Sequence, residues 1–240
     1  MSVASKRKSD RPTLASVKIA RVGSASSKAG RKMPKRVNTL FAKYSNKFSG
    51  LIEPEGIEKL CSDLKVDHTD VRVLMFAWKL KAEMQGYFTL DEWQSGLMAL
   101  QVNSFNKLKK ALPQLEKEVL MQENFEDFYV FAFRYHLTDE NQKFLDMETI
   151  CILLDLILKS QYQLQVTFFI EFLKIQKDYK MMNMDQWIGL YRFCKEISFP
   201  DLQNYDSGDA WPLILDNFVE WLRESGFHAF PLQGILRTLF

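Results

Sequence analysis

Apolar residues recur at the spacing of a helix along almost the whole chain from residue 37 onward, and this pattern excludes most other folds at the start. It predicts ten helices, over residues 37–46, 54–65, 69–84, 90–100, 104–121, 125–137, 146–160, 163–178, 184–197 and 212–224. β-Branched residues are scattered instead of alternating, and no Asn-Gly or Asp-Gly pair occurs that would close a two-residue hairpin. We therefore expect an all-α fold.

The net charge of +2 conceals two segments of opposite sign. Residues 1–36 carry 11 Lys and Arg and one acid, a net charge of +10, and the remainder holds 21 basic and 29 acidic residues, a net charge of −8. The first segment has almost no large apolar residues, so it cannot bury enough surface to offset the entropy of ordering. We expect residues 1–36 to be a disordered basic tail.

Two basic clusters in this tail are typical of a nuclear-import signal. They consist of Lys6, Arg7, Lys8, Arg31, Lys32, Lys35 and Arg36. A solvated tail and a loose contact with nucleic acid are the alternatives, and the second is disfavoured because no aromatic residue lies among the charges to stack on a base. The expected location is the nucleus, with the cytoplasm as a second one, and no specific nucleic-acid partner.

Several other classes of protein are disfavoured by what the sequence lacks. Its three cysteines, Cys61, Cys151 and Cys194, are widely separated, which indicates neither a disulfide framework nor a metal cluster. The N-terminus has no apolar signal sequence, and the apolar run from Ile150 to Leu158 is interrupted by Asp155. A soluble intracellular protein without a membrane partner is the expectation.

A short internal repeat indicates two related lobes. FTLDEW (88–93) matches MNMDQW (182–187), and a Gly-Leu pair follows shortly after each. Each copy contains a capping box, Thr89 with Glu92 and Asn183 with Gln186, so each begins a helix. We expect two helix–loop–helix lobes in one domain over residues 37–226, the first over about 37–137 and the second over about 138–226, followed by an apolar tail of unknown role at 227–240.

The lobes have the shape of an EF-hand without its ligands. Aligning Gly86 with the glycine of a calcium loop places Lys81, Glu83 and Gln85 at the first three ligand positions, and a lysine there is incompatible with Ca²⁺. The three histidines, His68, His136 and His228, have no motif-level partner, and no phosphate-binding glycine loop exists. We therefore expect no metal, no cofactor and no catalytic residue.

The last predicted helix combines an apolar face with acidic residues. Six acids lie between residues 201 and 224, against a single base. Such a concentration can attract a basic partner, although an ordinary solvated face would show the same charges.

The stretch from Asn204 to Trp221, NYDSGDAWPLILDNFVEW, resembles the signature of the defective-in-cullin-neddylation family, whose shared region is also called the potentiating-neddylation (PONY) domain. AWK (77–79) with GYFTLDEW (86–93), FEDFY (125–129) and DQW (185–187) are similar to other parts of that domain. The resemblance covers residues 38–224. It implies a two-lobed, EF-hand-like helical scaffold that holds a cullin and a modifier-charged conjugating enzyme (E2) together.

The resemblance also implies two binding surfaces. The cullin site matches Asp185, Ala210 and Asp216, whose carboxylates would pair with cullin Lys or Arg. The pocket for the N-acetylated methionine of the neddylation E2 matches an apolar set with one amide: Ile57, Val73, Ala77, Gln85, Phe88, Tyr135, Leu153 and Leu156. The RING subunit of the cullin ligase is a further implied partner.

The chain departs from the family pattern at its ends and beside the pocket. Some members of the family carry a ubiquitin-binding domain before the shared domain; this chain has the basic tail there, as nuclear members do. Glu83 and Met84 lie next to the turn that borders the pocket. Asp185 also has a structural explanation, because a carboxylate in the first turn of a helix interacts favourably with the helix dipole. A calcium-free EF-hand-like nuclear protein with an unrelated partner is the alternative function.

Overall fold

The computed structural model describes residues 35–139 and 141–225 and confirms the all-α fold and all ten predicted helices. The helices are α1 (Lys35–Tyr44), α2 (Pro54–Leu64), α3 (Val71–Leu80), α4 (Leu90–Ala99), α5 (Phe105–Val119), α6 (Gln122–Tyr135), α7 (Met147–Ile157), α8 (Gln163–Ile175), α9 (Met184–Glu196) and α10 (Leu213–Glu224). No helix in this part of the chain is long and apolar enough to cross a bilayer.

Most helix boundaries differ from the prediction by one to four residues, and two of the differences have a clear physical reason. Helix α1 begins at Lys35, so the last two residues of the predicted disordered tail are helical. Lys and Arg are good helix formers, and here they precede the buried stripe of α1. Helix α3 ends at Leu80 instead of residue 84, because Lys81 adopts a left-handed conformation (φ 55°) and closes the helix. The rest of the basic tail, the proposed helix stop at Gly226 and the apolar tail lie outside the described residues.

Short antiparallel pairings, which the sequence did not predict, join the loops within each lobe. In the first lobe the backbones of Ile52 and Phe88 exchange two hydrogen bonds of 3.0 and 2.9 Å. In the second, β1 (Phe144–Asp146) pairs with β2 (Met181–Asn183). Strands of three residues are too short for an alternating pattern to stand out in the sequence. The pairings thus join two helix–loop–helix units each, α1–α2 with α3–α4 and α6–α7 with α8–α9. Helix α6, which the prediction placed in the first lobe, packs against α3 and α5 of that lobe and against α9 of the second.

The internal repeat has the same structural role in both lobes. Both predicted capping boxes are formed, at Thr89 and at Asn183. Trp93 and Trp187, at the end of each copy, are completely buried. The indole of Trp93 donates to the carbonyl of Val37 in α1 (3.3 Å), and that of Trp187 donates to the carbonyl of Tyr129 in α6 (2.9 Å). Each tryptophan thus connects the last helix of its lobe to the first.

Helix α6 connects the two lobes through aromatic contacts. Tyr129 stacks on Trp187 with ring centroids 4.2 Å apart, and its hydroxyl donates to the Trp187 carbonyl (3.1 Å). Towards the first lobe, Phe128 packs edge-on against Trp78, whose indole donates to Asp127 (2.8 Å). Because α6 contributes to both cores, the described residues belong to one compact unit.

Candidate functional site

Helices α9 and α10 approach so closely that only glycine fits at their contact. A Cβ atom added to Gly189 would lie 2.7 Å from Cγ of Pro212, inside the distance that real Cβ contacts show. Asp185 lies about one turn before Gly189 in α9, and Asp216 about one turn after Pro212 at the start of α10. Ala210 precedes Pro212 by two residues. The three predicted cullin-site residues therefore each lie within about one helical turn, along the chain, of a residue of this contact, and we call them the acidic face.

The three residues of the acidic face differ in exposure. Asp185 and Ala210 are exposed, and Asp216 is half-buried. Both carboxylates lie in the first turn of their helix, so each also interacts favourably with the helix dipole. A structural role for both carboxylates therefore accompanies any role in binding.

A tyrosine that the sequence reasoning passed over orients Asp216. The Tyr205 hydroxyl donates to Oδ1 of Asp216 across 2.5 Å. Burial, and then the hydrogen bond to this carboxylate, raise the pKa of Tyr205 well above its usual value of 10.0, so the hydroxyl stays protonated and remains a donor. Tyr205 and Trp211 both belong to the signature stretch, but the pattern gave no reason to assign either a contact.

Aromatic stacking and two arginines hold the loop between α9 and α10 in place. The ring of Tyr205 stacks on Trp211 (5.8 Å between centroids), and both pack on Phe193. Arg192 lies 4.3 Å above the Trp211 ring, and Arg223 lies 5.8 Å above that of Tyr205. Among the described residues the buried indole N–H of Trp211 has no hydrogen-bond partner.

The predicted acidic cluster surrounds this loop. Five of its six members are exposed, with Asp216 as the half-buried one; the exposed ones are Asp201, Asp206, Asp209, Glu220 and Glu224. Asp206 accepts a hydrogen bond from the Gly208 backbone (2.8 Å), and Asp201 accepts one from the Ser198 hydroxyl (2.7 Å). The exposed charge is thus predominantly negative, which favours a basic partner.

A second candidate site is a cavity of about 410 Å³ bordered by α2, α3, α6 and α7, which we call the interlobe cavity. Seven of the eight residues predicted for the E2 pocket line it together: Ile57, Val73, Ala77, Gln85, Phe88, Tyr135 and Leu156. Gln85 is exposed at its rim, whereas Ala77 and Phe88 form part of the buried floor. The cavity is mainly apolar and has one amide at its edge.

Leu153 is the member of the predicted pocket that does not line the cavity. It is buried to 1 % exposure in the core, and Ile152 lines the cavity in its place. Ile152 and Leu156 are four residues apart and share a face of α7, whereas Leu153 points away from it. The i, i+3 spacing of Leu153 and Leu156 is also compatible with a shared face, so the structure, and not the spacing, assigns Ile152 to the cavity.

Tyr135 and His136 are the polar side chains that the end of α6 contributes to the cavity wall, whose other polar members include Glu58, His68, Thr69 and Asp70. The backbone N–H of Gly86 donates to the Tyr135 hydroxyl (3.2 Å), and burial raises the pKa of Tyr135 to about 12. Burial lowers the pKa of His136, whose Nδ1 lies 2.7 Å from the carbonyl of Ala132. Both side chains are therefore neutral near pH 7, as suits a site for an uncharged apolar group.

The remaining predicted groups show no reactive arrangement. No group of three or more His, Cys, Asp or Glu side chains within residues 35–139 and 141–225 could hold a metal ion. Cys61 and Cys194 are buried core residues, and burial raises the pKa of both thiols, which makes them poor nucleophiles. Of the basic clusters, only Lys35 and Arg36 are described, and both are exposed in the first turn of α1.

Comparison with known proteins agrees with this architecture. Residues 107–221 match a protein family described as "Cullin binding". The chain is 39 % identical over 174 residues to human DCN1-like protein 4, which is 72 % of this chain and 58 % of that protein. It is equally identical to DCN1-like protein 4 of Danio rerio, of which it covers 61 %. It is 37 % identical over 171 residues to human DCN1-like protein 5, which is 71 % of this chain and 70 % of that protein. The chain thus spans about three fifths of the length of the first two relatives.

Proposed function

Because this chain belongs to the cullin-binding family of DCN1-like proteins, we propose that it is a non-catalytic scaffold that promotes neddylation of cullins. It binds a cullin through the acidic face and the neddylation E2 through the interlobe cavity. The observation that carries the proposal is that Asp185, Ala210 and Asp216 each lie within about one helical turn, along the chain, of the contact between Gly189 and Pro212.

The chemistry of the acidic face suits a basic surface on a cullin. Asp185 is exposed, and Asp216 is held in one orientation by Tyr205, so the two carboxylates are available without further reorganisation. The small side chain of Ala210 leaves room for the backbone of a partner. The surrounding exposed acids raise the rate of encounter with a basic partner.

The chemistry of the interlobe cavity suits an acetylated N-terminus. An unmodified N-terminus would bring an ammonium group into an apolar site, which is unfavourable without a paired charge. Of the two carboxylates in the lining, Asp70 is already paired with Arg72, and Glu58 is exposed to solvent, which screens its charge. Acetylation removes the charge, and the exposed amide of Gln85 can then bond the acetylated backbone.

The scaffold accelerates transfer by proximity. Holding the cullin and the charged E2 on one rigid unit converts a rare three-body encounter into an effectively intramolecular one. The RING subunit of the ligase then acts on reactants that are already close, and no catalytic residue on the scaffold is required.

The test is reconstituted transfer of the modifier to a cullin C-terminal domain, with and without this chain. We expect the chain to increase the rate and the variant Asp185→Lys plus Asp216→Lys to abolish the increase. The matched control is Asp91→Lys plus Glu55→Lys, because both residues also lie in the first turn of a helix and lose the same dipole interaction. No stimulation, or equal loss in both double variants, would reject a cullin site on the acidic face and favour an unrelated partner.

We also propose that the basic clusters direct the protein to the nucleus. Lys35 and Arg36 are exposed at the start of α1, where an import receptor can reach them, and the clusters at Lys6 and Arg31 precede them in the chain. Their density of positive charge is the supporting feature.

A further inference from the structure

A second apolar cavity lies between α7 and α8, on the far side of α7's Ile152 from the interlobe cavity. Its volume is about 620 Å³. We call it the α7–α8 groove; its apolar lining includes Met147, Cys151, Ile152, Ile170 and Leu173. Ile152 is 61 % exposed and adjoins the other apolar side chains of the groove lining. The groove therefore presents an apolar surface without a partner among the described residues.

The chain itself continues from a point close to this groove. Trp221, in the last turn of α10, contacts the ring of Phe172 in α8 (5.9 Å between centroids). Ile170 and Leu173, on another face of α8, line the groove. The groove is thus one helix diameter away from the end of α10, about 10 Å. Residues 226–240 follow α10, and fifteen residues can span up to about 50 Å.

The sequence of this continuing segment has the chemistry that the groove requires. Leu232, Ile235, Leu236 and Leu239 follow i, i+3, i+4 and i+7 spacing, which places four apolar side chains on one face of a helix. The segment contains no acid and one arginine, Arg237. The groove lining carries Glu148, Asp155 and Lys174, and Asp155 is already paired with Lys159. The match between segment and groove therefore rests on their apolar side chains.

We propose that the segment 227–240 docks in the α7–α8 groove of the same molecule, with the Leu232–Leu239 face against Ile152 and Leu173. The docked segment covers the exposed Ile152 and the half-buried Cys151. It also borders the interlobe cavity, because Thr69, Ile152 and Leu156 line both spaces. The proposal rests on the groove and the segment, and it is independent of the proposed role in neddylation.

Cys151 provides a built-in reporter for this contact. It is the half-buried thiol among three cysteines, and Cys61 and Cys194 are in the core. The experiment measures the rate of thiol labelling of each cysteine in the 240-residue chain by peptide mass spectrometry. The test variant is Ile235→Asp plus Leu239→Asp, which places two charges on the apolar face. The control variant is Gln233→Asp plus Thr238→Asp, which adds the same charge to the same segment and keeps that face.

We expect Cys151 in the test variant to be labelled roughly tenfold faster than in the native chain, as for a segment that occupies the groove about nine tenths of the time. The control variant is expected to match the native rate. Slow labelling of Cys61 and Cys194 in all three proteins shows that the fold is intact. Equal Cys151 rates in native chain and test variant would overturn the proposal.

The same assay distinguishes docking within one molecule from docking between two copies. Protection of Cys151 by its own segment is independent of protein concentration, whereas exchange between copies strengthens as the concentration rises. A Cys151 labelling rate that is constant over a hundredfold dilution supports the proposal. A rate that increases on dilution would overturn it in favour of a second copy as the occupant.

Discussion

The Tyr205 hydroxyl donates to Oδ1 of Asp216 across 2.5 Å, joining the loop before α10 to the first turn of that helix. The ring that carries this hydroxyl is itself fixed between Trp211 and Arg223. The contact therefore transmits the rigidity of the aromatic cluster to a carboxylate of the acidic face. A partner that binds Asp216 meets a side chain whose conformational entropy has already been lost.

Replacing Tyr205 with Phe tests this relationship. The ring stays and the hydrogen bond is lost, so we expect a loss of about 1 to 2 kcal/mol in the free energy of unfolding, as for hydrogen bonds to charged groups. Binding to a cullin C-terminal domain should weaken several-fold, measured by calorimetry. Tyr205→Ala should cost more stability, because the stack on Trp211 is lost as well. Unchanged cullin affinity in Tyr205→Phe would show that the hydroxyl does not position Asp216 for binding.

Replacing Gly189 with Ala tests the close contact between α9 and α10. The added Cβ would meet the ring of Pro212 at 2.7 Å, and a proline ring can yield only by moving its backbone. We expect a loss of about 1 to 3 kcal/mol in the free energy of unfolding, the range for overpacked sites. Urea denaturation measures it. Ser95→Ala, exposed on α4, is the control and should stay within about 0.5 kcal/mol of the native chain.

The helices were predictable because each carries an apolar stripe and clear terminal signals. Thr89 and Asn183 form their capping boxes as the local sequence indicates, and these interactions span only three residues. Contacts between distant segments were harder to predict from the sequence. The indole of Trp93 bonds the carbonyl of Val37, a backbone atom that has no sequence signature.

The candidate sites show the same difference between residues that a local motif predicts and contacts that depend on distant segments. The resemblance supplied Asp185, Ala210 and Asp216 but not Tyr205, whose contact depends on the path of an irregular loop. In α7 it supplied Leu153, whereas the side chain that lines the cavity is Ile152. A shift of one residue on a helix rotates a side chain by about 100°, so position within a motif does not by itself fix which side chain faces a cavity.

The half-buried His136 predicts a loss of stability in mild acid. Burial lowers its pKa in the folded chain below the ordinary value of 6.5, so the unfolded chain binds the proton more readily. The contribution of the neutral His136 to the free energy of unfolding is fully present above pH 6.5. It decreases as the pH falls from there towards the folded-state pKa. We expect His136→Gln to reduce the loss in unfolding free energy between about pH 7 and pH 5. His68→Gln, at an exposed position, is the control; equal pH dependence in all three chains would contradict this assignment.

The basic clusters predict a change of location. The test variant replaces Lys6, Arg7, Lys8, Arg31 and Lys32 by Ser. We expect a fluorescent fusion of this variant to be distributed evenly through the cell. These substitutions leave Lys35 and Arg36 in place, so α1 is not altered. The control variant replaces five exposed lysines of the folded domain: Lys107, Lys109 and Lys110 of α5 and two further ones. It removes the same amount of positive charge and should not change the location of the protein. Nuclear accumulation of the first variant would reject the import signal.

The rim amide of the interlobe cavity gives the sharpest test of the E2 site. Gln85 is exposed beside an apolar cavity, so its amide can bond an acetylated backbone without losing an existing buried partner. An acetylated peptide with the N-terminal sequence of the E2 should bind at least tenfold more tightly than its unacetylated twin, because about 1.4 kcal/mol corresponds to that factor and desolvating an ammonium costs more. Gln85→Ala should weaken the acetylated peptide about fivefold, as expected for one neutral hydrogen bond, and should change the unacetylated peptide little. Gln161→Ala, at an exposed position outside the cavity lining, is the matched control. Fluorescence polarisation measures the affinity of both peptides for each of the three chains, and equal binding of the two peptides to the native chain would mean that the cavity does not recognise the acetyl group.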